Sequence, residues 1–122
     1  MNQKNKDNII LTKTFDFALR VIEVYKALYK QHEFVLSKQL LRSATSIGAN
    51  AEEAIAGQSL RDFTAKMSIA SKEARETHYW LRLINAGKLT DRNVQPLIDE
   101  VEEIKRILVS IVKTSQEKLR KP

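Results

Sequence analysis

The sequence predicts an all-α protein, an antiparallel up-down-up-down four-helix bundle, and three observations carry that reading. Glycine (3) and proline (2) are too scarce in 122 residues for the turns of a β-sandwich. Apolar residues recur at steps of three and four through four long segments. The breaks between segments are short, which makes successive helices antiparallel neighbours. The helices fall at about 12–31, 38–57, 60–87 and 91–118, in a single domain spanning 1–122.

The first helix carries two apolar stripes. Leu11, Phe15, Ala18, Ile22, Tyr25 and Tyr29 form one; Phe17, Val21, Val24 and Leu28 form another on a different face. One stripe suffices for a core, so the second points to a further interface, against the simpler reading of a helix sunk among the other three. The second helix is expected to begin after Ser37 as N-cap and to end near Gly57. Its apolar stripe is Leu36, Leu40, Ala44, Ile47, Ala51 and Ile55, and Gly48 with several alanines permits close helix approach. A polar strip through Ser43, Ser46 and Asn50 runs down one side.

In the third helix Ser59 is the expected cap, and Phe63, Met67, Ala70, Ala74, Thr77, Leu81 and Ile84 form an unbroken heptad seam ending near Gly87. The fourth starts between Thr90 and Asn93, with Pro96 in its first turn. Val94, Leu97, Val101, Ile104, Leu108 and Ile111 make its seam. Early acids (Asp99, Glu100, Glu102, Glu103) and late bases (Lys113, Lys118, Arg120, Lys121) complement the helix dipole and otherwise read as a solvated face.

Composition bounds the chemistry. The chain has no cysteine, which removes disulfides, thiol nucleophiles and cysteine zinc sites. The net charge of +6 favours an acidic partner without naming it. The apolar run Ile9, Ile10 and Leu11 is too short for a secretory signal, and no run reaches a membrane span, so a cytoplasmic protein with no membrane role is expected.

A di-iron bundle needs Glu-x-x-His pairs, but Tyr29 and Arg75 stand three residues before His32 and His78. No phosphate-cradling glycine loop or nucleophile elbow is present. The expectation is no catalytic residue, no metal ligand and no cofactor. Glu53, Glu73 and Glu76 read as a polar network fixing helix register, with Arg42 or Lys72 as partner, rather than as an acid/base pair. Trp80, Tyr25, Tyr29 and Tyr79 could stack bases, although Tyr25 and Tyr29 sit at packing positions and Trp80 suits a subunit contact.

The stretch 39–53, QLLRSATSIGANAEE, resembles the bacterial four-helix bundle proteins encoded in intervening sequences of large-subunit ribosomal RNA genes. Gln39, Leu40, Arg42, Ser46, Ile47, Asn50 and Glu53 match that pattern, and Ala54 replaces its usual glycine. Further on, Phe63, Ile69, Ala70 and Glu76 match, while Lys72-Glu73 stands where many members have glycine-serine. The likeness covers about 15–112. It implies a ring-shaped homopentamer with no established catalytic activity. A related branch, the accessory variability determinant of diversity-generating retroelements, binds nucleic acid and a reverse transcriptase. That kinship favours RNA or DNA as partner, though it supplies no binding residues.

The resulting expectation is a non-enzymatic, oligomeric, nucleic-acid-associated protein, RNA before DNA. The alternative is a protein-interaction scaffold whose charge only solubilises. The nucleic-acid surface is expected at the end of the bundle collecting Lys4, Lys6, Lys13, Arg61, Lys66, Lys113, Lys118, Arg120 and Lys121. Six acids share that end, leaving +3 per subunit, which a ring would repeat about its axis. The signature side chains Gln39, Arg42, Ser46, Asn50, Glu53 and Glu76 are expected to be structural or interfacial. Arg42, Ser46, Asn50 and Glu53 step by four, four and three, so a buried polar line is expected. Truncating Glu53 there costs about 3–5 kcal/mol.

Overall fold

Helix ends in this chain are set by capping chemistry more than by where the apolar stripes stop. The structure, a computed structural model, describes residues 3–121, with side chains from Asn5 onward. The Lys4 side chain therefore lies outside the described set. Helix α1 spans Gln3–Lys30, α2 Val35–Ala56, α3 Leu60–Ala86 and α4 Gln95–Arg120. No strand occurs among the described residues.

Helix α1 opens well before the expected residue 12, because its core face already includes Ile10. Ile10, Thr14, Phe17, Val21, Val24 and Leu28 step by four and three and are all buried. The helix stops where His32 takes a left-handed φ of 68°, with the Glu33 N–H donating to the Leu28 carbonyl at 2.9 Å. The same Glu33 caps α2: its carboxylate accepts the backbone N–H groups of Leu36 (3.1 Å) and Ser37 (3.4 Å). Ser37 is therefore not the cap, as its residue type led us to expect. It lies inside the first turn, fully buried.

Ser59 does cap α3, accepting the Asp62 N–H at 3.0 Å, and Gly57 and Gly87 follow α2 and α3. The left-handed residue after α3 is Lys88 (φ 54°), which lets the Leu89 N–H reach the Ile84 carbonyl at 3.1 Å. Helix α4 begins a little later than expected. The Asn93 side chain accepts the Gln95 N–H at 3.1 Å, and Pro96 falls in the first turn, where its missing donor is harmless.

The helices pack as a four-helix bundle. Each of α2 and α4 lies against both α1 and α3, whereas no Cα of α1 comes within 8 Å of a Cα of α3 among the described residues. The core is aliphatic, with Leu40, Ile47, Met67, Leu81, Ile84, Ile104, Leu108 and Ile111 fully buried beside the α1 face. Between α2 and α3 it thins to Ala44, Ala51, Ala54, Ala70 and Ala74. Two hydroxyl pairs cross the core. Ser43 and Thr77 lie 2.8 Å apart between α2 and α3, and Thr64 bonds Ser115 between α3 and α4. Burying these hydroxyls is tolerable because each is partnered.

Gly48 marks a close approach of α2 to α1. A Cβ there would lie 3.1 Å from Thr14 Oγ1 and 3.3 Å from Thr14 Cβ, tighter than ordinary contact. Thr14 cannot easily yield, since its hydroxyl is tied to the Ile10 carbonyl at 2.7 Å. Gly48→Val is expected to destabilise the fold by about 1–3 kcal/mol through overpacking, read as a lower urea midpoint at unchanged slope.

Candidate nucleic-acid interface

Cross-helix contacts define which basic residues share an end. The Thr64–Ser115 bond sets the start of α3 beside the end of α4. Lys6 Nζ donates to Ser110 Oγ at 3.5 Å, bringing the start of α1 to the same half of α4. Lys66 Nζ meets Glu53 at 3.3 Å, adding the end of α2.

Not all the expected cations remain open. Lys13 lies against the early part of α4, 2.9 Å from Glu103 and 3.7 Å from Glu100. The hydrogen bond it donates to Glu103 leads the causes that hold its ammonium above the ordinary lysine range. Lys66 is likewise committed to Glu53. Arg61, Lys113, Lys118, Arg120 and Lys121 are exposed and join no ion pair among the described residues. The open set at this end is thus Arg61 and the α4 terminus, with Lys6 nearby.

The signature residues of α2 form polar contacts, but not a buried line. Arg42 reaches across to α3 and contacts both Glu73 (3.1 Å) and Glu76, and its Nε lies 3.5 Å from Gln39 Oε1. The Glu76 hydrogen bond raises its already high pKa. Asn50 Nδ2 donates to the Ser46 carbonyl at 2.8 Å. Yet the Arg42 side chain is 50% exposed and that of Glu53 61%. The alanine-lined α2–α3 seam explains this: closely spaced backbones leave no interior room for long charged chains, which emerge at its rim. Of the two partners considered for the acids, Arg42 engages Glu73 and Glu76. Lys72 is exposed and joins no ion pair among the described residues.

A second basic surface escaped the sequence reading. Lys72, Arg75, Tyr79 and Arg82 step by three, four and three along α3, and all are exposed. That spacing is legible in the sequence, off the apolar seam of α3. Beside it, His78 Nε2 lies 3.5 Å from Glu102 of α4. Burial, followed by the nearby Arg82, pushes His78 below the ordinary imidazole pKa despite Glu102, so it is uncharged at neutral pH. Glu102 accepts from Lys105 at 3.0 Å, which pulls its carboxyl below the usual range.

No cluster of three or more histidine or acidic side chains suited to a metal occurs among the described residues. No described helix is long and apolar enough to cross a membrane.

A family profile for the 23S rRNA-intervening sequence protein matches residues 6–110. The chain belongs to that family. A solved structure from Bacteroides thetaiotaomicron VPI-5482, a protein of unknown function from the S23 ribosomal protein family, is 47% identical. It superposes with a TM-score of 0.82, covering 88% of this chain and 98% of its own. A search of curated proteins finds no match. The family span takes in the signature of α2 and the α3 ridge. It stops short of Lys113, Lys118, Arg120 and Lys121, so family membership says nothing about those four.

Because Glu53 is exposed and its pair with Lys66 is solvent-screened, Glu53→Ala is expected to cost less than about 1 kcal/mol. That replaces the larger loss a buried line implies. Urea unfolding of the two proteins side by side measures the difference.

Proposed function

We propose that the chain is a non-enzymatic, homo-oligomeric RNA-binding protein of the cytoplasm, an up-down-up-down bundle assembled as a ring of five. Antiparallel running is supported by pairs such as Lys6–Ser110 with Lys13–Glu103, and Ser43–Thr77 with Glu53–Lys66, where residue numbers rise on one helix and fall on the other. Self-association is supported by the outer stripe of α1. Its inner stripe fills the core, while Phe15 (61% exposed) and Tyr29 (49%) of the outer stripe, and Leu19 (50%) beside it, remain open to solvent. Such a seam, at heptad spacing on a helix whose core face is already satisfied, suits a second copy of the chain.

The observation that carries the RNA reading is the set of open cations at one end: Arg61, Lys113, Lys118, Arg120 and Lys121. Assembly would multiply this modest patch and make phosphate binding multivalent. A protein-interaction scaffold is the second reading, favoured by the same apolar stripe on α1.

Light scattering is expected to give a species near five times the 14.0 kDa chain mass. Phe15→Glu with Leu19→Glu is expected to reduce it toward one chain; a wild-type monomer at micromolar concentration ends the oligomer reading.

Wild-type oligomer is expected to shift structured RNA at low salt. Replacing Lys113, Lys118, Arg120 and Lys121 together by glutamine lowers the logarithmic salt slope by about 3. Failure to shift RNA leaves the scaffold reading.

A further inference from the structure

The α3 ridge differs in kind from the basic end, because an aromatic ring sits among its charges. Lys72, Arg75, Tyr79 and Arg82 lie on one exposed line about 15 Å long. None of the three cations joins an ion pair among the described residues. Tyr79 is 47% exposed. Trp80 holds the Tyr79 ring by an edge-on contact, with centroids 5.2 Å apart. The Arg82 guanidinium carbon lies 5.8 Å from the Tyr79 ring centroid. A half-open ring braced at its edge, beside a planar cation and flanked by further positive charge, has the parts a stacked base and its phosphates require.

On the bundle the ridge stands apart from the α1 stripe. Helices α1 and α3 occupy opposite corners, and their backbones stay apart among the described residues. A ring joins each subunit through two different patches, so the oligomeric mass of Tyr79→Ala decides whether the ridge is free in the assembly.

We propose that this ridge binds single-stranded RNA, with a nucleobase stacked on Tyr79 and adjoining phosphates held by Lys72, Arg75 and Arg82. The inference rests on the RNA-binding reading above and adds to it a site, a class of RNA and a mode of contact. Duplex RNA keeps its bases stacked internally and cannot offer one to Tyr79, so the ridge selects unpaired strands. Stacking accepts any base face, so sequence preference is weak.

Trp80 is the only tryptophan in the chain, which makes it a built-in reporter. The test titrates wild-type protein with a short oligoadenylate and, separately, with polyglutamate, an anion without bases. Oligoadenylate is expected to quench Trp80 emission and polyglutamate is not. With labelled oligoadenylate, Tyr79→Phe is expected to bind as wild type, and Tyr79→Ala about 5- to 150-fold more weakly at unchanged salt slope. Arg75→Gln with Arg82→Gln is expected to lower the salt slope by about 1.4.

Equal binding by Tyr79→Ala and wild type overturns the proposal, as does equal quenching by polyglutamate. A change of oligomeric mass in Tyr79→Ala also overturns it, since Tyr79 is then an assembly contact. If wild-type protein binds no RNA of any form at low salt, the RNA reading itself falls. If it binds RNA but loses nothing at Tyr79, only the ridge is wrong.

Discussion

The close approach of α2 to its neighbours is the constraint on which the rest of the molecule depends. Gly48 admits Thr14 of α1 at a distance where a methyl group would crowd it, and Ala44, Ala51 and Ala54 share the core with Ala70 and Ala74 of α3. Small side chains bury little apolar area each, but they draw backbones together and increase dispersion contact along the seam. The polar architecture follows. Ser43 and Thr77 fit the interior as a mutually satisfied pair, while Arg42, Glu73 and Glu76 meet at the rim, where water shares the cost of their charge. In this chain the close packing of α2 comes first, and its ion pairs are placed as a consequence.

That geometry gives the bundle two unlike walls. Seams on α1 at 10, 14, 17, 21, 24 and 28 and at 11, 15, 18, 22, 25 and 29 are displaced by one residue, about 100° around the helix. Only the first is fully buried against the core. At the opposite corner, α3 turns Lys72, Arg75, Tyr79 and Arg82 outward. Apolar surface on one wall and charge on the other separates the two tasks proposed for them. In a ring the apolar wall of one subunit meets a different surface of the next, so the two walls are chemically distinct without either being repeated in the contact.

The four helices were legible because their heptad spacing is long and regular, and Ser59, Gly57, Gly87 and Pro96 punctuate it in ways residue type alone reveals. The α2 cap was not. Glutamate reaches two backbone N–H groups from position 33 only because His32 adopts a left-handed turn, and nothing about histidine announces that conformation. Two stripes on α1 were visible too, but which faced the core depended on Ile10 and Thr14 extending the inner one. The candidate site was read less well. Arg42 to Glu76 follows from helix register, whereas the exposure of Glu53 depends on how near two backbones come, a distance the polar spacing does not encode.

Charge placement makes the same point with more consequence for function. The early acids of α4 looked like partners of the helix dipole alone. In the bundle Glu100 and Glu103 meet Lys13 of α1, while Glu102 meets Lys105 and His78. These acids hold nearby cations along the flank of the bundle and leave the cations of the α4 terminus and of the α3 ridge outside those pairs. The α4 dipole alone rewards bases at the end of that helix, but it gives no reason for a cationic ridge along the middle of α3, where interspersed signs would solubilise as well. A polyanion gains directly, because each open cation it meets releases a counterion, whereas a cation already paired within the protein releases little. The pairing on the flank thus favours a phosphate-bearing ligand over simple solubility.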